Sequence, residues 1–296
     1  MSKRSPLGAI LKPLRWLAGR GTDMKGRLEL AERRQGADDL PDVFAVISWG
    51  CAGTKWLSNA LATHPGILSV HSFNSVHEMY VPAKAGLNDV QVLNVLRLLG
   101  RGYALVGDVH GINRWSVPEL KETFGDSFQA AAVIRDPVKR LLSQISLFEH
   151  GNYSERGWGD LEYLRHLPGF ERVYRYYADR KKRFFMHAAN LLNAVLEERQ
   201  HCLLFRMEDL TTRPESLCEL VRHLSGGKLT VAPSWAEQIL ARPAVNRHNT
   251  TTSRPRLTEP WQFEILHALV LPETLEAYRG HGYTIPAEWE PRRLAA

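Results

Sequence analysis

The sequence predicts an α/β protein of three layers, in which a central parallel β-sheet is flanked by helices. Short apolar runs typical of buried strands alternate along the chain with longer segments of helical periodicity. Two of these runs, residues 43–47 and 131–134, each lead through a turn into a helix. The chain has 296 residues, of which 44% are hydrophobic, and this is enough to bury a sizeable core.

The elements are predicted in the following order. Strands are expected at residues 43–47, 67–70, 103–107, 131–134 and 202–206. Helices are expected at residues 54–63, 88–99, 117–124, 137–149 and 170–199, and after Pro214, Pro233 and Pro260. Residues 150–168 are rich in loop signals. Because the strands are expected to run parallel, the loops that follow them should carry the functional site.

The chain is predicted to form one domain over residues 41–296, because no linker rich in Gly, Pro or Ser divides it. Residues 1–40 are a separate basic arm, in which Lys and Arg surround an apolar stripe. This arm has three interpretations: a helix docked on the domain, a partly disordered segment, or an amphipathic helix in peripheral contact with an anionic membrane.

Charge and cysteine content limit the class of protein. The net charge of +6 and the pI near 9.3 suit anionic ligands without identifying one. No nucleic-acid-binding module is recognisable, so no nucleic-acid partner is predicted. The three cysteines are few and widely spaced, which argues against a disulfide scaffold or a zinc site. These features predict a cytoplasmic protein, with membrane association through residues 1–40 as the alternative. The oligomeric state is not indicated.

The first chemical motif is a candidate phosphate cradle. From Ile47 to Leu57 the chain reads I-S-W-G-C-A-G-T-K-W-L, a strand that enters a small-residue turn and then opens a helix. Backbone N–H groups and the positive end of the helix dipole converge on one anion at such a junction. The same pattern also occurs in ordinary tight connections. If it is a cradle, the nucleotide-binding residues are Gly50, Cys51, Ala52, Gly53, Thr54, Lys55 and Trp56.

A second segment also offers anion chemistry. After the run at 131–134 the chain reads R-D-P-V-K-R-L-L-S. Asp136 can cap the next helix, and Pro137 suits its first turn. Arg135 therefore leaves the end of a strand, and Ser143 lies two turns into the helix, where its hydroxyl can join the arginine on one phosphate. The alternative makes Arg135 a surface ion-pair partner.

The two segments together resemble the sulfotransferases that use 3′-phosphoadenosine 5′-phosphosulfate (PAPS). The loop from Gly50 to Leu57 looks like the family's P-K-S-G-T-T-W-L element for the 5′-phosphosulfate. The second segment matches R-D-P-x-x-R-x-x-S, the element for the 3′-phosphate, without insertion, at Arg135, Asp136, Pro137, Arg140 and Ser143. The M-E-D-L stretch of residues 207–210 is similar to a late turn of the family. The resemblance implies a P-loop NTPase-like fold, PAPS as cofactor, adenosine 3′,5′-bisphosphate as product, and no metal.

One position departs from the family pattern. The loop lysine of the family should fall at Cys51, whereas this chain carries Lys55 four residues later. Either Lys55 reaches back over the turn to the bridging oxygen, or the positive charge comes from elsewhere. In the alternative interpretation Lys55 is a solvated helix residue, and the chain is a non-catalytic nucleotide-binding or membrane-adaptor protein.

The transfer needs a base that deprotonates the acceptor, and three residues are candidates. His110 follows the strand predicted at 103–107, at a distance from the loop similar to that of the catalytic histidine of cytosolic sulfotransferases. His71 and Glu78 lie beyond the first helix, where other branches of the family keep a glutamate. An imidazole has a pKa near neutrality without tuning, whereas the pKa of Glu78 would have to be raised by burial. His110 is preferred, with His71 and Glu78 as the alternatives.

The remaining predictions concern the nucleotide lid, the acceptor and competing classes. Arg254 and Arg256 are similar in position to the basic loop that closes over the 3′-phosphate in cytosolic members; a solvated loop is the alternative. The acceptor is a hydroxyl or amine of a carbohydrate, glycolipid or small metabolite. A P-loop kinase is excluded because Trp56 stands where the magnesium-binding hydroxyl belongs. A cysteine phosphatase is excluded because Leu57 stands where its arginine belongs.

Overall fold

The computed structural model of the chain describes residues 40–48, 52–72, 88–149, 162–242 and 256–290. Five strands form one parallel sheet in the order β2-β3-β1-β4-β5, and helices alternate with them along the chain. The α/β fold with a central parallel sheet is therefore confirmed. The strands are β1 (Asp42–Ile47), β2 (Ile67–His71), β3 (Leu105–Val109), β4 (Phe128–Ile134) and β5 (Leu203–Arg206).

The inner strands β1, β3 and β4 are buried almost throughout. Residues 43–47 of β1 have no exposed surface at all, and every residue of β3 is buried. Such strands read as continuous apolar runs because helices cover both faces of a parallel sheet. β1 pairs with β3 on one side and with β4 on the other, so its carboxyl end is flanked by theirs.

The helices begin largely where proline or a capping side chain predicts. α9, α10, α11 and α12 all have proline as their first residue, where the missing N–H costs nothing. In the described chain the helices are α1 (Thr54–Leu61), α2 (Asp89–Leu99), α3 (Val117–Phe124), α4 (Pro137–Glu149), α5 (Phe170–Val173), α6 (Arg180–Asn190), α7 (Ala194–His201), α8 (Met207–Leu210), α9 (Pro214–Leu224), α10 (Pro233–Leu240), α11 (Pro260–Leu269) and α12 (Pro272–Gly280).

Three predicted elements differ most from the structure. β4 begins at Phe128, three residues earlier than the run expected at 131–134. β3 begins at Leu105, two residues later than expected, because Tyr103 still belongs to the turn after α2, where its N–H bonds to the Gly100 carbonyl. The long helix expected at 170–199 is divided into α5, α6 and α7. One break comes at Asp179, whose side chain accepts the Lys182 N–H and so starts α6 afresh.

The chain divides into two compact units. The described part of the first unit comprises residues 40–48, 53–72, 88–132 and 209–242, and that of the second comprises residue 52 and residues 133–149, 162–208 and 256–290. The second unit has its own apolar core, formed by side chains of α4 to α7, α11 and α12. The predicted arm at residues 1–40 falls outside the described residues except for Leu40, and the predicted boundary at residue 41 stays a prediction.

Candidate functional site

The start of α1 has the backbone geometry of an anion cradle. Gly53 precedes the helix with φ 76° and ψ 15°, a left-handed conformation that glycine adopts without steric cost. Glycine also has no side chain with which to cap the helix, so Gly53 itself does not occupy the N–H groups of the first turn, as in helix starts that bind anions. Ala52, just before it, is buried. Gly50 and Cys51 lie outside the described residues.

The three residues that open α1 lie in different environments. Thr54 is buried, Lys55 is exposed and Trp56 is half-buried. The Thr54 hydroxyl Oγ1 lies 3.0 Å from Nε2 of His71, the last residue of β2. The hydroxyl of the predicted cradle is thus joined to one of the three candidate bases.

His110 is held at the end of β3 by its backbone and its ring. It has φ 82°, a left-handed conformation that is uncommon for a residue with a side chain. Its N–H donates to the Val46 carbonyl at 2.8 Å, and its Nδ1 lies 2.5 Å from the Ser48 carbonyl oxygen. A carbonyl only accepts hydrogen bonds, so Nδ1 carries the proton. In the neutral ring the lone pair is therefore on Nε2, which is the nitrogen able to act as a base.

The two histidines face each other. The rings of His71 and His110 are stacked, with centroids 5.7 Å apart and planes at 25°. Their strands are neighbours, and His71 pairs in register with Val109. One cluster thus joins Ser48, Thr54, His71 and His110. Glu78, the third candidate base, lies outside the described residues.

This cluster lies where an open parallel sheet normally binds its ligand. β1 and β3 are adjacent in the sheet. After β1 the chain continues to β2, which lies beyond β3, and after β3 it continues to β4, which lies on the other side of β1. Loops that depart in opposite directions open a crevice at the carboxyl ends of the two strands. Ser48 and His110 are the first residues after these ends.

Asp108 builds the turn that carries His110. Its carboxylate is fully buried and accepts the N–H of Gly111 at 2.5 Å. A Cβ at Gly111 would lie 2.5 Å from the same carboxylate, so only glycine fits there. Asp108 is therefore a structural part of this turn.

The second predicted element has the local geometry expected of it. β4 ends at Ile134, Arg135 follows half-buried, and α4 begins at Pro137. The Asp136 carboxylate accepts the Lys139 N–H at 2.9 Å, so Asp136 caps the helix. Ser143 is half-buried two turns into α4. The predicted cap and the predicted first-turn proline are confirmed.

A carboxylate and a phenol that the sequence did not identify hold the turn between β4 and α4. Glu208 accepts the Asp136 N–H at 3.2 Å and the Tyr283 hydroxyl at 2.8 Å. Burial, together with the hydrogen bond to Glu208, raises the pKa of Tyr283. Glu208 belongs to the M-E-D-L stretch noted in the sequence, and that motif was the available signal for its role.

Arg140, the second arginine of the motif, points into the core of the second unit. It is 1% exposed, and its Nη1 donates to the Tyr278 hydroxyl at 3.2 Å. Its Nε and Nη2 have no hydrogen-bond partner among the described residues. Burial raises the pKa of Tyr278, so the phenol stays neutral. Arg140 therefore serves the scaffold of α4.

The other predicted site residues are placed as follows. Arg256 is exposed at the start of the last described segment, and Arg254 lies outside the described residues. Across the described segments, no cluster of His, Cys, Asp and Glu side chains could hold a metal ion. None of the helices in these segments combines the length and the apolarity that a membrane crossing requires.

Comparisons with known proteins add a likeness to solved structures. No protein-family model matches the chain, and no match to a curated protein was found. Among solved structures, the chain is similar to a sulfotransferase from Alicyclobacillus acidocaldarius, with a TM-score of 0.45 and 14% sequence identity. The match covers 85% of this chain and 100% of that one.

Proposed function

We propose that the chain is a sulfotransferase that binds PAPS and transfers its sulfuryl group to a hydroxyl or amine of a carbohydrate, glycolipid or small metabolite. The observation that carries the proposal is the orientation of His110. Its Nδ1–H bonds to the carbonyl of Ser48, where the candidate loop begins, so that the neutral ring has its lone pair on Nε2. A base fixed in this tautomer can accept the proton of an attacking hydroxyl.

The groups of the chain are chemically suited to the nucleotide. The glycine-opened start of α1 and the Thr54 hydroxyl offer hydrogen-bond donors to the anionic phosphosulfate. Arg135 and Ser143 offer a charged fork and a hydroxyl to the 3′-phosphate. Bound PAPS would supply a sulfuryl group already activated on a phosphate leaving group.

Each residue has a defined task in the proposed transfer. His110 Nε2 takes the acceptor's proton while the acceptor oxygen or nitrogen forms its bond to sulfur and the bond from sulfur to the bridging oxygen breaks. The leaving phosphate oxygen gains negative charge, which the N–H groups of α1 and the Lys55 ammonium stabilise. Positioning and electrostatics carry the catalysis, by analogy with loose phosphoryl transfer.

Calorimetry with adenosine 3′,5′-bisphosphate and AMP tests the nucleotide part of the proposal. We expect the bisphosphate to bind far more tightly than AMP. Arg135→Ala should remove most of that preference, at least about tenfold, because a charged hydrogen bond contributes roughly 1.5 to 3 kcal/mol. Arg172→Ala, at an exposed arginine of the same unit, is the matched control and should change neither affinity. Equal affinities of the unaltered protein for both nucleotides contradict the assignment.

Turnover of labelled PAPS against a panel of carbohydrate, glycolipid and small-molecule acceptors tests the catalytic part. Transfer of label to any acceptor, abolished by heat inactivation, supports an enzyme. Selective binding of the bisphosphate without transfer across the panel favours the non-catalytic nucleotide-binding alternative.

A further inference from the structure

The Thr54 hydroxyl has a single proton, and its neighbour His71 decides where that proton can point. Oγ1 of Thr54 lies 3.0 Å from Nε2 of His71, and the bond is partly buried. A hydroxyl donates once and accepts twice. The direction of this hydrogen bond therefore sets what Thr54 can offer to an anion at the start of α1.

Two arrangements are chemically available. If Nε2 of His71 has a lone pair, Thr54 donates to it and turns its own lone pairs toward the anion, which is repulsive. If Nε2 carries a proton, the ring donates to Thr54, and the hydroxyl proton is released to bind the anion. An anion in the cradle stabilises the second arrangement, because only that one provides a donor.

We propose that His71 is a positioning residue that donates its Nε2 proton to Thr54 and so directs the Thr54 hydroxyl toward the sulfuryl-bearing phosphate. The inference rests on the proposed function, since it deepens the role of the same loop. His71 touches no reacting atom in this scheme and acts only through Thr54. It thereby leaves the role of base to His110, whose ring is stacked on its own.

The charged groups around His71 define the expected pH dependence. His110 faces it from β3, Asp108 lies on the same strand in register with Val70, and Lys55 is the one charged residue of α1. An imidazolium always carries a proton on Nε2, whereas the neutral ring divides between two tautomers. Anion affinity should therefore decrease as the pH rises through the titration of His71.

Nitrogen NMR on protein labelled with ¹⁵N-histidine reads this proton directly. Sulfate is the probe, because its charge is constant over about pH 5.5 to 8, where imidazoles titrate. The chain has 12 histidines, and the His71 signals are assigned from their loss in His71→Gln. Addition of sulfate at neutral pH should convert His71 Nε2 to the protonated type. A signal that keeps its lone-pair character at saturating sulfate, or a protein that binds no sulfate at the loop, overturns the proposal.

A double-mutant cycle separates positioning from a structural role. Thr54→Val and His71→Leu should each weaken sulfate binding about tenfold, and the double variant should bind no more weakly than either, because both remove the same interaction. Thr54→Ser keeps the hydroxyl and should bind like the unaltered protein. His71→Gln keeps a donor amide and should restore affinity with a shallower pH dependence. Additive losses, or a glutamine variant as weak as the leucine one, contradict the proposal.

Sulfate also distinguishes this proposal from the proposed function. If bound sulfate stabilises the form of His71 with a proton on Nε2, taken from Nδ1 or from solvent, but the bisphosphate binds no better than AMP, the positioning role stands and the sulfotransferase assignment falls. If the bisphosphate binds selectively while His71 and Thr54 contribute independently, the assignment stands and the positioning role falls.

Discussion

The two units of the chain use their polar residues differently. In the first unit, Ser48, Thr54, His71 and His110 meet at the carboxyl ends of three strands, and both histidines are half-buried. In the second unit, the arginine inside the motif, Arg140, is enclosed by the core and bonds to a buried phenol. The difference teaches that a motif of fixed spacing combines residues for a ligand with residues for the scaffold. Substitution of a ligand residue should lower turnover, whereas substitution of a scaffold residue should lower stability.

The largest expected effect is on catalysis at His110. His110→Asn should lower turnover by about 10² to 10⁴, because the amide cannot take the acceptor's proton. Asparagine tolerates the left-handed backbone and can still donate to the Ser48 carbonyl, so stability and bisphosphate affinity should hardly change. Steady-state kinetics, denaturation and calorimetry measure the three quantities.

His267→Ala, at a histidine that bonds to a backbone carbonyl in the second unit, is the control for His110. Near-normal turnover in His110→Asn would move the base to His71 or Glu78. A large loss of stability in His110→Asn would show that His110 is a scaffold residue like Arg140. The contrast between the two units would then be contradicted.

Arg140 should show the opposite pattern. Arg140→Ala should lower the free energy of unfolding by roughly 3 kcal/mol, because it removes a buried side chain and leaves the Tyr278 hydroxyl without this donor. Arg140→Met keeps most of the volume and should cost less. Tyr278→Phe should cost about 1 kcal/mol. Denaturant titration gives these values, and a variant Arg140→Ala as stable as the unaltered protein contradicts a scaffold role.

A half-buried histidine of the second unit should make stability depend on pH. Burial lowers the pKa of His187 from 6.5 to about 4. The unfolded chain therefore takes up this proton first as the pH falls, and stability is lost between about pH 6.5 and 4. The loss should be roughly 2 to 3 kcal/mol.

The His187 effect is read as a difference between two proteins, because carboxyl groups titrate in the same range. His187→Gln should remain less sensitive to acid than the unaltered protein when both are denatured at a series of pH values. Parallel pH profiles would mean that His187 is already solvated in the folded state.

The smallest expected effect concerns the charge of the loop. Lys55 is exposed, so Lys55→Ala should weaken bisphosphate binding by only about 1 kcal/mol, with a comparable loss of turnover. Cys51→Ala should do little, and Cys51→Lys should partly rescue Lys55→Ala because it restores the family arrangement. Calorimetry decides: a silent Lys55→Ala beside a damaging Cys51→Ala would mean that the loop works without this ammonium.

Elements with strong local signals could be predicted from the sequence, and those with conflicting signals could not. The helix at Pro137–Glu149 was predicted to the residue, because Asp136 and Pro137 mark its start. The segment from 170 to 199 has apolar periodicity throughout, but Asp179 starts a new helix within it. The observed start of β3 differs from the predicted one, because pairing with β1 and β2 fixes where the strand begins, and its own apolar residues do not.

The sequence by itself determined the element types, the parallel α/β fold and the residues that follow each strand, because apolar periodicity, proline and capping side chains act over a few neighbouring residues. Only the tertiary structure decided which polar groups meet. His110 and Ser48 are 62 residues apart, and Thr54 and His71 are 17 apart. The same holds for Arg140 and Tyr278, which are separated by 138 residues. Such pairs depend on strand order, register and helix packing, which arise from the whole chain and leave no mark in the local pattern around either partner.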